Sequence, residues 1–379
     1  MRCETCCLGD VCTFIDYRGK TPPKTSSGIP LVTAKIVKNG MIQEPQEFIA
    51  ENYYDEWMRR GIPQKGDVVF TTEAPLGEVA RIKTDDKLAF AQRIIILEPN
   101  TQRLNAGYLF YALQDSVLKN RIAARATGTT VIGIKAAELK KVEIDLPPLQ
   151  QQEKIVDTLS CLDDKIELNN KINENLERQA TAIFKNFYEQ AETEVGFTDV
   201  IQILGGGTPK TGENGYWGGK IPFFTPKDIG SPYTLNTEKT ITEDGLARCN
   251  SRLYPINTVF VTARGTVGKV GMAGVPMAMN QSCYALVGKG IHQLLVYFYT
   301  LKTVEILKHK ASGAVFDAIT TRDFDSESIL TLSDADAEAF LNVAKPIYQA
   351  ILRNIVENQQ LVILRDTLLP KLMPCEIEL

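Results

Sequence analysis

Histidine is nearly absent from this chain: His292 and His309 are the only two in 379 residues. So little imidazole leaves scant material for general-base catalysis or His-ligated metal chemistry. No apolar run approaches the roughly 18–20 residues of a membrane span. The opening residues Met1-Arg2-Cys3-Glu4 show no charged segment followed by an apolar one, so secretion is not expected. The eight cysteines fall at 3, 6, 7, 12, 161, 249, 283 and 375. Crowded at one end and scattered elsewhere, they form no disulfide framework; unpaired thiols in a reducing cytoplasm are expected. What is present is ordinary: 44% hydrophobic and 23% charged residues. That composition excludes a disordered or fibrous chain, and the length suggests about two domains.

The net charge of −4 argues at first against a nucleic-acid partner. Counted by segment, residues 1–148 carry +2, 149–195 carry −5, 196–330 carry +2 and 331–379 carry −3. The sign alternates along the chain, and steering depends on where charge sits rather than on its total.

That alternation leads to an internal repeat. Gly19-Lys20-Thr21-Pro22-Pro23-Lys24 matches Gly206-Gly207-Thr208-Pro209-Lys210, and Ile29-Pro30-Leu31-Val32-Thr33-Ala34-Lys35 matches Ile221-Pro222-Phe223-Phe224-Thr225-Pro226-Lys227. Val68–Thr72 leads to Gly77 as Val259–Thr262 leads to Gly268. Ala89-Phe90-Ala91-Gln92 matches Ala278-Met279-Asn280-Gln281, and Thr127-Gly128-Thr129 matches Ser312-Gly313-Ala314. The offset drifts only from about 192 to 185, so one domain occurs twice. In each copy, apolar β-branched runs broken by turns predict a twisted antiparallel sheet: Asp67–Thr72, Glu78–Ile82 and Leu88–Leu97, then Thr258–Ala263, Lys269–Ala273 and Met277–Val287. A helix follows in each, Ala106–Ala124 and Ile291–Lys310.

Each copy then ends in a long helix, the first entered after Leu146-Pro147-Pro148. Its apolar seam is Ile155, Leu159, Leu162, Ile166, Asn169, Asn173, Leu176, Ala180, Ile183 and Phe187, stepping by four and three as a heptad seam does. The second seam is Phe340, Ala344, Ile347, Ile351, Asn354, Asn358, Leu361, Arg365, Leu368 and Leu372. Two asparagines interrupt both seams at matching places. Buried asparagines pair with one another and fix register, so Asn169 and Asn173 are expected beside Asn354 and Asn358 in an antiparallel pair. Pro346 is expected to start or kink the second helix. The expected fold is α+β: two pseudo-symmetric sheet-plus-helix domains, residues 1–148 and 192–332, separated by coiled-coil-like helices at 149–191 and 333–379.

Catalytic motifs fail one by one. Gly128–Lys135 nearly spells a phosphate-binding loop, but Ile134 stands where its lysine must be. Asp145-Leu146-Pro147-Pro148-Leu149 lacks both the acid directly before Pro-Pro and the aromatic that an amino-methyltransferase uses to stack a flipped base. Asp67 with Asp85-Asp86-Lys87 fits a metal-dependent nuclease only loosely and reads as a hairpin turn. Cys3, Cys6, Cys7 and Cys12 have no second paired motif with which to hold zinc. No catalytic and no metal-binding residue is assigned.

What remains is polar, basic and on loops. In copy one these are Lys20, Lys24, Lys35, Arg93, Lys119, Arg121 and Arg125, with Glu73 and Thr129; in copy two they are Lys210, Lys227, Arg264, Lys269, Lys302, Lys308 and Lys310. Several stand beside Gly, Thr or Ser, whose hydroxyls and open N–H groups also contact phosphate. Repeated in both copies, they suggest two DNA surfaces. The alternatives are a scaffold that binds only proteins, or a nuclease.

Pro147-Pro148-Leu149-Gln150-Gln151-Gln152-Glu153-Lys154-Ile155 with Leu162-Asp163-Asp164-Lys165-Ile166, the final Leu364-Arg365-Asp366-Thr367-Leu368-Leu369-Pro370-Lys371-Leu372-Met373, and the loop Arg264-Gly265-Thr266-Val267-Gly268 resemble the specificity subunit of type I restriction–modification systems. The resemblance covers essentially the whole chain. Copy two departs from it at the helix entry, where Ile329-Leu330-Thr331-Leu332-Ser333 replaces Leu-Pro-Pro-Leu. It implies a non-catalytic, cytoplasmic protein whose two target-recognition domains each read half of a split, asymmetric site in double-stranded DNA. The helices set the spacing and dock two methyltransferase subunits, which bring S-adenosylmethionine and methylate adenine. A motor–nuclease subunit can join to cut unmodified DNA.

Overall fold

The computed structural model describes residues 3–17, 21–230, 232–310 and 318–373. The chain divides into two compact units, Met1–Ile166 with Gln360–Leu379, and Glu167–Gln359.

The first unit is built on a four-stranded antiparallel sheet in the order Cys12–Asp16, Ile94–Pro99, Val68–Thr72, Leu76–Arg81. A three-stranded sheet orders Phe48–Ile49, Ile29–Val32 and Ala89–Phe90, and Glu4–Cys7 pairs with Glu143–Leu146. The second unit repeats this order. Ile201–Gly205, Cys283–Gly288, Val259–Thr262 and Val270–Ala273 form its main sheet, extended by Tyr233–Thr234. Lys239–Ile241, Trp217–Phe224 and Ala278–Met279 form the three-stranded sheet, and Thr193–Gly196 pairs with Ser328–Thr331. The repeat in sequence is therefore a repeat in topology.

Several expected elements need correction. The sheets are not wholly antiparallel: Leu31 pairs in parallel with Ala89, Phe223 with Ala278 and Tyr233 with Met272. The expected strands Leu88–Leu97 and Met277–Val287 are each cut in two, because the chain turns at Arg93 and at Asn280–Ser282 and changes sheets there. The expected helix Ala106–Ala124 breaks into Ala106–Ala112 and Ser116–Arg125, since Asp115 accepts a hydrogen bond from Val117 N and caps a new helix. Its counterpart, Gln293–Lys310, is unbroken. Cys3 is disulfide-bonded, against the expectation of unpaired thiols; Cys6, Cys7, Cys12, Cys161, Cys249 and Cys283 are free. Burial pushes the Cys12 and Cys283 thiols up to about 12, which keeps them protonated and inert.

The long helices span Leu149–Glu189 and Asp334–Leu372, 41 and 39 residues, each about 60 Å at 1.5 Å per residue. Every position of both expected seams is buried or half-buried. The second helix starts where Ser333 Oγ accepts from Asp336 N at 3.2 Å while donating to its carboxylate at 2.6 Å. It runs straight through Pro346. That residue is exposed, so the carbonyl its missing N–H leaves free faces water.

Within the first unit, Ile155 and Leu159 join Leu369, Leu372 and the domain helix residues Tyr108 and Leu109 in one core. Asp163 there accepts from Arg365 Nη1 at 2.8 Å and from the Tyr111 hydroxyl at 2.6 Å. Burial raises the Tyr111 hydroxyl, with the Asp163 charge adding to it, so it stays a donor at any physiological pH. Within the second unit, Phe184 stacks on Phe298 at 4.7 Å and meets Phe340 edge-on at 5.4 Å. Several turns along the same two helices sits the asparagine layer. Asn169 Nδ2 donates to Asn358 Oδ1 at 2.8 Å and to Glu357 at 2.7 Å, Asn358 Nδ2 donates to Asn170 at 2.8 Å, and Asn354 Nδ2 donates to Asn173 Oδ1 at 2.8 Å. The pairing is antiparallel, each higher position on one helix meeting a lower one on the other.

Asn169 is 1% exposed. Asn169→Leu alone removes the amide that donates to Asn358 and Glu357, and urea unfolding should show a loss of about 1–3 kcal/mol. Leu at Asn169, Asn173, Asn354 and Asn358 together should instead raise the midpoint above that of the natural chain while admitting a slipped register.

Candidate nucleic-acid interface

Each unit gathers several loops at one end of its main sheet. In the first, the strand Val68–Thr72 leads into Glu73, which bridges to Gly133, while Thr72 N donates to Arg93 O at 2.9 Å. Arg93 adopts a left-handed conformation, φ 71°, that turns its side chain to Glu73 with Nε to carboxylate 2.9 Å. Thr72, Glu73, Gln92, Arg93, Thr127, Gly133, Ile134 and Lys135 line a cleft of 220 Å³.

The second unit ties the same loops together with other side chains. Ala263 N donates to Ser282 O at 2.8 Å, and Arg264 bridges to Ala318. Arg264 thus occupies the place of Glu73, and Ser282 that of Arg93. Gly265 and Gly268 have φ 84° and 73°, which closes the hairpin that displays Arg264. Thr266 Oγ1 donates to Pro226 O at 3.3 Å, and Lys308 lies against Gly268. Asp228 accepts from Thr225 N at 2.8 Å and Glu238 N at 2.7 Å, which orders the loop bearing Lys227. Gly207 N donates to Met279 O at 3.2 Å, and the Thr208 hydroxyl donates to the Gln281 side chain. The Gly-Thr-Pro-Lys segment, the Asn280-Gln281-Ser282 turn and the Arg264 hairpin are therefore neighbours.

Most cations foreseen in copy one are already paired. Lys24 meets Glu47 at 2.6 Å, Arg121 meets Asp145 at 2.8 Å and Arg125 meets Glu138 at 3.2 Å. Arg121 and Arg125 brace their helix against the strand and turn that follow it, with Arg121 also donating to Glu143 O. Lys35, Lys119 and Thr129 are exposed. Lys20 lies outside the described residues. In copy two, Lys302 pairs with Glu305 at 3.1 Å, Lys227 with Glu238 at 4.0 Å, and Lys310 with the buried Glu327 at 2.6 Å. Lys310 is thereby committed to satisfying a carboxylate inside the fold. Lys210, Arg264, Lys269 and Lys308 are exposed and have no ion pair among the described residues. Arg264, Lys269 and Lys308 surround a single hairpin.

Sequence reading missed the Glu73–Arg93 pair; its signal was Gln92-Arg93 standing opposite Gln281-Ser282 in the repeat. The residues once considered for a nuclease serve turns: Asp67 accepts from Gln64 N at 2.8 Å, and Asp86 accepts from the Thr84 hydroxyl at 2.6 Å.

A sheet domain that occurs twice thus presents cationic, hydroxyl-rich loops, and each copy packs on segments of the long helices. The type I restriction modification DNA specificity domain model matches residues 2–178 and 192–331, and the chain belongs to that family. It is 23% identical over 399 residues to the type I restriction enzyme HindI specificity subunit of Haemophilus influenzae, covering 83% of this chain and 87% of that protein. It is 24% identical over 374 residues to the MjaIX specificity subunit of Methanocaldococcus jannaschii, covering 91% and 86%. The crystal structure of a type I restriction–modification system S subunit from M. genitalium shares the fold, with TM-score 0.60 at 16% identity over 99% of this chain and 97% of that one. The chain is a DNA-specificity subunit and not itself a catalyst. The family carries no catalytic cofactor of its own. No described helix is long and apolar enough to cross a membrane.

Arg264→Ala distinguishes two contacts. If Arg264 reads a guanine through O6 and N7, binding titrations on variant duplexes should show preference relaxed at one position by about 1–3 kcal/mol. If it holds a phosphate, affinity should fall on all sequences alike and the salt slope should lessen by about 0.9. The base contact is the expected outcome, because the loop is closed and the guanidinium has no ion pair among the described residues.

Proposed function

We propose that each recognition domain, residues 1–148 and 192–332, reads one half of an asymmetric, two-part site in double-stranded DNA. In this reading the helices at 149–191 and 333–379 fix the unread gap and dock two methyltransferase subunits. The observation that carries it is one scaffold bearing different loop chemistry: Glu73 paired to Arg93 in the first copy, and in the second Arg264 beside Ser282, with no ion pair among the described residues. Equal scaffolds with unequal loops imply half-sites that differ in sequence. Within the proposed surfaces, Lys20, Lys24, Lys35, Glu73, Arg93 and Thr129 serve the first half, and Lys210, Lys227, Arg264, Lys269 and Lys308 the second, whereas Arg125 and Lys310 are taken up by Glu138 and Glu327. Phosphate contacts position the domains, and base-edge contacts specify the sequence.

The methyltransferase subunits supply S-adenosylmethionine and transfer its methyl group to adenine. A motor–nuclease subunit that joins them cuts unmodified DNA, and the complex works in the cytoplasm. The asparagine layer supports the helices' role as a ruler, since a single permitted register gives a single permitted spacing.

Inserting four helical residues before Asn169 advances that helix by about 6 Å and rotates it by about 40°. Methylation mapping of cells carrying the insertion should reveal a changed gap between unchanged half-sites, or no methylation. Methylation at the same gap would show that the helices are not the ruler.

A further inference from the structure

One feature beside the first cleft is apolar. Residues 127–133 form a closed loop: Thr127 N donates to Gly133 O at 2.8 Å, and Gly133 N returns to Thr127 O at 3.0 Å. Ile134 N then donates to Thr72 O at 3.0 Å, which anchors the loop to the sheet, and the Ile134 side chain is buried. Gly128 makes the closure possible. Its φ is +131°, and a Cβ there would stand 2.0 Å from Val131 O. The tip raises Val131 and Ile132, 50% and 59% exposed, on a loop whose base, Thr127 and Gly133, lines the cleft with Glu73, Arg93 and Lys135.

Two large apolar side chains held in water on a closed loop call for a ligand. Two side chains are too little for a stable protein interface, which buries on the order of 1,200–2,000 Å². A base-pair edge fits better. In the major groove the donors and acceptors match the charged neighbours, and the one apolar group is the thymine methyl. The pair is not repeated in sequence: the bridges Glu73–Gly133 and Arg264–Ala318 align the loops and set Phe316 and Asp317 opposite Val131 and Ile132. Those two lie outside the described residues.

We infer that Val131 and Ile132 are specificity-determining residues that read thymine methyl groups in the half-site bound by the first domain. This rests on the DNA-recognition reading above. The test uses the full chain with its methyltransferase subunits and duplexes carrying its mapped methylation motif. Deoxyuridine replaces thymine on both strands, in one half-site at a time. Deoxyuridine in one half-site should weaken binding by the natural chain about fourfold per contacted methyl, the worth of one buried methylene. The Val131→Ala/Ile132→Ala variant, with an unchanged thermal midpoint, should bind the thymine and deoxyuridine forms of that half-site alike. Deoxyuridine in the other half-site should affect both proteins equally.

Indifference of the natural chain to deoxyuridine in both half-sites overturns the inference, as does discrimination that survives in the variant. Loss of methyltransferase assembly in the variant with thymine preference intact overturns it too, and assigns the tip to a protein contact. Failure of the underlying reading looks different: the natural chain then shows no salt-dependent, sequence-specific binding to any duplex.

Discussion

The pairing of two long, half-apolar helices is the constraint on which the rest depends. A helix of this length with one greasy face is not stable by itself; tertiary burial of that face holds it. Each unit's largest core is closed by helix residues: Ile155, Leu159, Leu369 and Leu372 in the first, Ala180, Phe184, Phe340 and Ala344 in the second. Apolar contacts alone would tolerate a slide by one heptad. The buried asparagines do not, because a shifted register strands their amides without partners. Asp163 with Arg365 and Tyr111 adds a second fixed point within the first unit.

Around that scaffold the two copies keep their topology and change their surfaces. The strand order is the same, and so are the backbone bonds that tie each recognition hairpin to its neighbours, such as Thr72 N to Arg93 O and Ala263 N to Ser282 O. Side chains at the loop ends do not contribute to the core, so they vary without unfolding it. Exchange of Glu73 and Arg93 for Arg264 and Ser282 turns a self-neutralised cleft into an open cationic hairpin. Two different readers thus arise from one fold.

Much of the architecture was legible because periodicity is a local signal that packing preserves. The seam positions from Ile155 to Phe187 and from Phe340 to Leu372 are buried as their spacing requires, and the asparagines meet as their matched placement requires. The errors arose where a nonlocal partner decided the outcome. The apolar run Leu88–Leu97 looks like one strand, but Ala89 pairs in parallel with Leu31 while Ile94–Leu97 pair with Val68–Thr71. Pro346 is tolerated because its face is wet, which the seam implied but the residue type obscured. Candidate basic residues were readable only as types. Lys310 serves the buried Glu327 and Arg121 braces a strand, whereas Arg264 has no ion pair among the described residues; only three-dimensional neighbours separate these cases. The exposed Val131 and Ile132 drew no notice, since an apolar pair in sequence gives no sign that it stays outside the core.

The central proposal is that one chain carries two different readers, one in each unit. Mapping every methylated adenine in DNA from cells that express this chain with its methyltransferase tests it most directly. The account predicts one motif of two unlike half-sites flanking an unread gap of constant length. A single uninterrupted motif, two identical half-sites, or a gap of variable length would contradict it.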